Sequence, residues 1–330
     1  MDAVLVEVTR GACVESRHAG AALVVDARGS VVFSIGDIDA PTYPRSAVKA
    51  LLALPLVETG AADRLGLTDA ELALACSSHS GEIPHTETAL SMLTKAGRDV
   101  ACLECGTHWP RDEAARALAA AGQVPSALHN NCSGKHSGFV CLSCDMGVDP
   151  KGYVHHDHPA MRAVTAALAE TTGARLDDGN RAIDGCSIPT YAIPLRAMAL
   201  AFARFGTGEG FSPDRATAAS RLRRAVAANP FMVAGTDRFD TRLMMLLGDR
   251  VFSKTGAEGV YCVSLPKLGY GIAVKCDDGA GRAAEIVIAA LIARFLKPDN
   301  TALDAMCRPE MKNWNGIVVG GMRPVAALAG

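Results

Sequence analysis

The 330-residue chain is 49% hydrophobic with a mean hydropathy of +0.16, enough to bury a large core as one domain or two fused lobes. Its 33 Lys and Arg balance 35 Asp and Glu, so no basic field recruits nucleic acid or an anionic membrane. The opening MDAVLVEVTRG does not read as a signal peptide, stretches 197–205 and 285–296 are too short or too charged to span a bilayer, and eleven cysteines point to a reducing compartment, so a soluble cytoplasmic protein is expected.

In chain order, residues 3–9 alternate weakly and read as a strand. Residues 21–26 and 30–35 are β-rich runs separated by Ala27-Arg28-Gly29, a hairpin signal. Residues 42–44 interrupt the pattern, and 45–54 then reads as a helix with Ser46 in its first turn. Residues 68–75 form a second helix, with Thr68 and Glu71 spaced as a capping box. It runs into Cys76-Ser77-Ser78-His79-Ser80-Gly81-Glu82, a small polar loop. Further helices are expected at 85–96, 112–121, 135–145, 159–171, 198–205, 213–229 and 240–247. Runs 259–265 and 269–275 read as a hairpin around Pro266-Lys267. An apolar helix at 281–296 and a last strand at 316–319 close the chain. Strands, then a long helical middle, then strands and a helix suit an α+β class better than alternating β-α-β units. The expected arrangement is one domain over 1–330. An antiparallel sheet lobe would come from 1–60 and 250–330, and a mainly helical lobe from 61–249, with the site at their junction.

Two short motifs carry the chemistry. Ser46-Ala47-Val48-Lys49 places Ser46 and Lys49 at i and i+3, on one helix face. A serine hydroxyl needs an adjacent base to be a nucleophile, and a lysine serves only when kept neutral by burial or a like charge. Lys254-Thr255-Gly256 supplies a second lysine that would lower Lys49. S-x-x-K with K-T-G is the signature pairing of serine β-lactamases and penicillin-binding proteins.

The densest polar cluster is His129-Asn130-Asn131-Cys132-Ser133-Gly134-Lys135-His136, and Cys186 lies in a comparable turn. By residue type alone, Cys132 and Cys186 read first as buried small hydrophobes and second as metal ligands. Cys102/Cys105 and Cys141/Cys144 are too far apart in sequence for a zinc ribbon and read as core or helix-surface cysteines. His155-His156-Asp157-His158 reads as the start of a helix with Pro159 at its first position.

Jointly, these stretches resemble the class 3, rhizobial-type L-asparaginases (the asparaginase II family), which share the serine β-lactamase and glutaminase fold. The stretches are Arg45-Ser46-Ala47-Val48-Lys49, Ala75 to Glu82, Asn130 to His136, Ile183-Asp184-Gly185-Cys186-Ser187-Ile188-Pro189, Lys254 to Gly259 and Gly320-Gly321-Met322-Arg323-Pro324. They stand in family order along nearly the whole chain. The resemblance implies L-asparagine as substrate, Ser46 as nucleophile with Lys49 as base, and a second tandem, Ser78 with Lys254, for proton relay. Ser78 is chosen over Ser80 by its spacing from Ser46. It also implies one zinc ion per chain held by Cys132, Lys135 and Cys186, in a structural or substrate-orienting role. Arg45, Asp184 and His136 become substrate or supporting groups, and a homodimer is implied. The rivals are a glutaminase or other amidohydrolase of the same fold, and a non-catalytic zinc-binding protein.

Overall fold

The structure, a computed structural model, describes residues 3–110, 112–298 and 300–329. Its centre is an antiparallel sheet whose strands are β1 (Ala3–Arg10), β2 (Cys13–Asp26), β3 (Val31–Ile35), β4 (Phe252–Thr255), β5 (Val260–Leu265), β6 (Tyr270–Cys276), β7 (Glu310–Lys312) and β8 (Val318–Pro324). The spatial order is β7-β8-β1-β2-β6-β5-β4, with β3 also on β2. The sheet is therefore built wholly from the two ends of the chain. Pairs such as Val6 with Pro324 and Lys275 with Ala21 bring those ends together. The expected α+β class and sheet of terminal strands are what the structure has.

Two strands differ from their expected extent. β2 begins at Cys13, because the polar stretch Cys13–Arg17 is mostly exposed and pairs with β1; only 20–25 is a continuously buried apolar run. The last strand begins at Val318 and runs to Pro324, past the expected 316–319, and β7 was not expected.

All six residues of β5 are buried, which an alternating strand can manage only when both sheet faces are covered. Helices Leu195–Thr207 and Gly281–Leu296 do the covering. The second buries Ile286, Val287, Ile288, Leu291 and Ile292, each worth about 1.5–3 kcal/mol against exposure. The first comes from the helical middle yet packs on the sheet.

Three features of the middle position the site. Helix Asp69–Ala75 starts at a complete Thr68/Glu71 capping box and ends at Cys76, handing the chain to Ser77 and Ser78. Helix Ser133–Asp145 crosses the end of that helix closely: a Cβ on Gly134 would lie 2.4 Å from the Leu74 carbonyl oxygen. Residues 45–54, expected as one helix, are a 3-10 turn over Arg45–Val48, a helix over Lys49–Leu52, and a further helix over Leu54–Glu58.

Candidate active site

Ser46 stands in the four-residue 3-10 turn. Arg45 before it has φ of 50°, a left-handed conformation that costs a non-glycine residue on the order of 1–2 kcal/mol. The Lys49 N–H donates to the Ser46 carbonyl, the i to i+3 bond of such a turn, so the two side chains leave it on the same side. The turn is too short to carry a helix dipole. Ser46 is half-buried, and among the described residues none hydrogen-bonds its hydroxyl. The K-T-G glycine packs beneath it: a Cβ on Gly256 would lie 2.8 Å from the Pro44 carbonyl and 3.2 Å from the Ala47 nitrogen. That close approach brings β4 and Lys254 under the Ser46 turn.

Lys49 is buried, and its amine reaches the Ser77 carbonyl (2.5 Å), Ser78 Oγ (2.9 Å) and Cys132 Sγ (3.2 Å). Burial pulls it below the ordinary lysine range; Cys132 opposes this and Lys135 adds to it. Lys254 is equally buried and donates to the Thr255 carbonyl at 2.7 Å. Burial pushes it down to about 7, with Asp240 opposing and Lys49 reinforcing. A like charge thus helps depress each lysine, Lys135 acting on Lys49 and Lys49 on Lys254, as a lysine base requires. The hydrogen bonds pair otherwise than the resemblance implies: the Lys49 amine meets Ser78 and not Ser46, and the Lys254 amine is spent on backbone. Ser80 donates to the Ala234 carbonyl at 2.8 Å and meets neither lysine by a hydrogen bond.

Cys132, Lys135 and Cys186 come together from two distant segments. The Lys135 amine is 3.0 Å from Cys186 Sγ, and Cys132 accepts from the Cys186 thiol. That bond comes first in holding Cys132 well below the ordinary thiol range; burial opposes it, and Lys49 and Lys135 assist. Burial pulls Lys135 down, but the charges of Cys186 and Cys132 outweigh it and raise the amine above its ordinary value. Among the described residues no group of three or more His, Cys, Asp or Glu could hold a metal, so a metal here would need the Lys135 amine, stripped of its proton. The C-x-x-C cysteines take no part: Cys105 and Cys141 are buried, with Cys141 against the Met92 carbonyl. His158 caps the helix Pro159–Thr172 through Nδ1.

Arg45 and Asp184 face each other, Nε to Oδ1 at 2.7 Å. Burial works against ionisation of Asp184, but Lys135 and then Arg45 hold it below the usual carboxylate range. His136 is buried with Nδ1 2.6 Å from Tyr153 Oη, and its Nε2 has no partner. Burial, then Lys135 and Lys49, push it well below the usual imidazole range, so it is neutral.

Two buried, depressed lysines, a cysteine held below the ordinary thiol range and a second serine thus gather beneath the Ser46 turn. The L-asparaginase II family model matches residues 6–324. The chain belongs to the L-asparaginase II family. The enzyme is accordingly an amidohydrolase of the asparaginase type. No curated protein sequence matches it significantly. Two solved structures resemble it in form. One is a β-lactamase from Mycobacterium bovis, 14% identical, covering 80% of this chain and 89% of that one at a TM-score of 0.38. The other is an inferred β-lactamase from Bacteroides dorei, also 14% identical, covering 78% and 84% at a TM-score of 0.40.

The enzyme's site contains groups that sequence reasoning missed. Asp240 is buried and receives Ser253 Oγ (2.6 Å), the Thr255 N–H (3.1 Å) and the Tyr261 hydroxyl, and its charge faces Lys254. Nothing in Phe239-Asp240-Thr241 distinguishes it from an ordinary acid in a helix first turn. His79 is a second such group. Its Nδ1 accepts from the Gly81 N–H, so Nε2 donates to Ser133 Oγ at 2.9 Å. That bond staples the Ser78 loop to the helix bearing Lys135. Among the described residues no helix is long and apolar enough to cross a membrane, and all eleven cysteines are free.

Proposed function

We propose that the enzyme hydrolyses L-asparagine to L-aspartate and ammonia through an ester on Ser46. The observation that carries this reading is the buried Lys49/Lys254 pair beneath the Ser46 turn, with Lys254 at about 7 and Ser78 on Lys49. Ser46 Oγ attacks the side-chain amide carbon while Lys49 takes its proton. The tetrahedral oxygen is held by backbone N–H donors of the turn; one such donor is worth roughly 10²–10³ in rate. The C–N bond then breaks as Ser78 passes a proton to the departing nitrogen, replenished from Lys49, and ammonia leaves. Water attacks the ester with Lys49 again as base, Ser46 recovers its proton, and L-aspartate is released. Lys254 keeps the cluster's net charge low by staying neutral. Arg45 and Asp184, paired to each other, hold the Ser46 turn against the cysteine cluster.

Cys132, Lys135 and Cys186 would hold one zinc ion. Two sulfurs and a nitrogen are a donor set zinc accepts, and the Cys132 thiolate is already favoured. When bound, the ion would supply fixed positive charge for orienting substrate. The reading also takes the protein as a cytoplasmic homodimer, resting on the family resemblance and, for the compartment, on the free thiols.

The test is ammonia release from L-asparagine, L-glutamine and nitrocefin's hydrolysis in parallel. Turnover of asparagine, abolished in Ser46→Ala, supports the reading. A glutamine preference would make the enzyme a glutaminase, because one methylene separates the substrates by only about 1–3 kcal/mol. Nitrocefin turnover alone, or none of the three, would refute it.

A further inference from the structure

Lys254 stands in β4, which ends the sheet order, so one side of β4 has no strand beside it. Helix Phe239–Leu247 packs on β4 and brings Asp240 to it from the first helical turn, where an acid suits the positive end of the helix. Asp240 is buried and accepts three hydrogen bonds. Oδ1 takes the Ser253 hydroxyl at 2.6 Å and the Tyr261 hydroxyl, and Oδ2 takes the Thr255 N–H at 3.1 Å. One carboxylate thus bonds the residues on both sides of Lys254. It also bonds Tyr261, which faces Thr255 across the β4–β5 pair. Ser253, Lys254 and Tyr261 are fully buried, so losing these bonds leaves buried polar groups unmet.

These bonds fix more than the strand. Side chains alternate along a strand, so the hold on Ser253 and Thr255 decides where the Lys254 side chain leaves it. The next residue, Gly256, seats the Ser46 turn: a Cβ there would lie 2.8 Å from the Pro44 carbonyl. A shift of β4 therefore moves the Lys254 amine and the floor of the Ser46 turn together. Charge adds a second link. Burial comes first in depressing Lys254; Asp240 and then Cys132 oppose it, and Lys49 and Arg238 add to it. The thiols of Cys76 and Cys262, which also feel Lys254, are pushed up by burial and stay neutral.

We propose that Asp240 is a positioning residue for the reaction: by bonding Ser253, Thr255 and Tyr261 together it holds the Lys254 amine in place beneath the Ser46 turn. This rests on the asparaginase reading above and deepens it, giving Lys254 a carboxylate that acts through the strand and never meets substrate. An asparagine at position 240 cannot do the same. Its amide has one oxygen, so when that oxygen serves Ser253 and Tyr261 the NH2 group confronts the Thr255 N–H, donor against donor. The counter-charge to the ammonium is lost as well.

The test compares Asp240→Asn, Ser253→Ala and Tyr261→Phe with wild type at matched metal content, because a metal on Cys132 would also act on Lys254. Folding is checked by urea unfolding, and kcat and KM for L-asparagine are measured from about pH 5 to 9. Lys254 is titrated by carbon-13 NMR of protein labelled at the lysine ε carbon, its signal assigned by absence from Lys254→Met. Asp240→Asn should lower the Lys254 midpoint from about 7 by about one unit or more, and the acid limb of kcat should move down with it. Its plateau kcat should fall about tenfold or more while KM stays within about threefold, since contacts to substrate are untouched. Ser253→Ala and Tyr261→Phe keep the charge; each should lower kcat about threefold or more and leave the midpoint within about half a unit. A merely structural role would lower stability and leave the midpoint and the kcat of folded protein alone. A midpoint that stays near 7, or a plateau kcat within about twofold of wild type, in Asp240→Asn overturns the proposal. If Asp240→Asn does not fold, the other two variants decide: a loss of kcat in either supports the proposal, and an unchanged kcat in both overturns it. The titration needs no turnover, so a wild type inert towards asparagine would sink the asparaginase reading while the NMR still judges the link from Asp240 to Lys254.

Discussion

Replacing Lys254 by Met should stabilise the fold most at low pH while destroying activity. The lysine is fully buried, and burial lowers it from the ordinary 10.5 to about 7. Below pH 7 both folded and unfolded chains carry its proton, and the folded state bears the whole cost of a buried ammonium. Between 7 and 10.5 the unfolded chain binds a proton that the folded chain does not, so wild-type stability rises with pH across that window. At 1.36 kcal/mol per unit, the penalty is about 5 kcal/mol at pH 6 and falls to about 2 kcal/mol at pH 9. Methionine has nearly the same length and no charge, so the variant escapes this term. It loses the bond to the Thr255 carbonyl, worth about 1 kcal/mol. The attraction of Asp240 for the ammonium is already contained in the value of about 7 and adds no separate loss. The variant's stability relative to wild type should therefore fall by about 3 kcal/mol over that range, measured by urea unfolding at both pH values. A pH-independent difference would refute the buried, depressed lysine, whatever the activity. Wild-type turnover should rise through pH 7 as Lys254 deprotonates. A rate maximum near pH 5 with decline above it would point to a carboxylate base instead.

Ser46→Ala should leave the unfolding transition intact and abolish turnover; retention of a tenth of wild-type kcat would exclude the ester on Ser46. Purified protein should carry about one zinc per chain by elemental analysis. Cys132→Ser and Cys186→Ser should each lower that content and raise KM more than they lower kcat. Zinc that survived the double substitution but vanished on replacing Cys102 and Cys105 would relocate the metal. Gly134→Ala drives a Cβ to 2.4 Å from the Leu74 carbonyl, so it should cost about 1–3 kcal/mol and reduce activity, because the helix carrying Lys135 must back away from Ser78. An unchanged unfolding midpoint would mean that the helices can separate without strain.

By itself the sequence determined the local elements with strong periodicity or punctuation. The Thr68 capping box, Pro159 at a helix start, the hairpin β5–β6 and the helix Gly281–Leu296 all follow from interactions within a few residues. It also determined the family, because Ser46, Lys49, Cys132, Lys135, Cys186 and Lys254 stand in motifs whose order is readable without a fold. Its local pattern did not show that 45–54 breaks into a 3-10 turn and short helices, since the left-handed Arg45 is held by its partner Asp184, 139 residues away. The polar half of β2 is a strand because β1 pairs with it. Tertiary structure alone decided that Ser78 meets Lys49 and that Asp240 backs Lys254. Each depends on how close segments far apart in sequence come, through the bare crossings at Gly134 and Gly256. The lysines' depressed basicity has the same origin, since desolvation and like-charge proximity exist only once the core has closed around them.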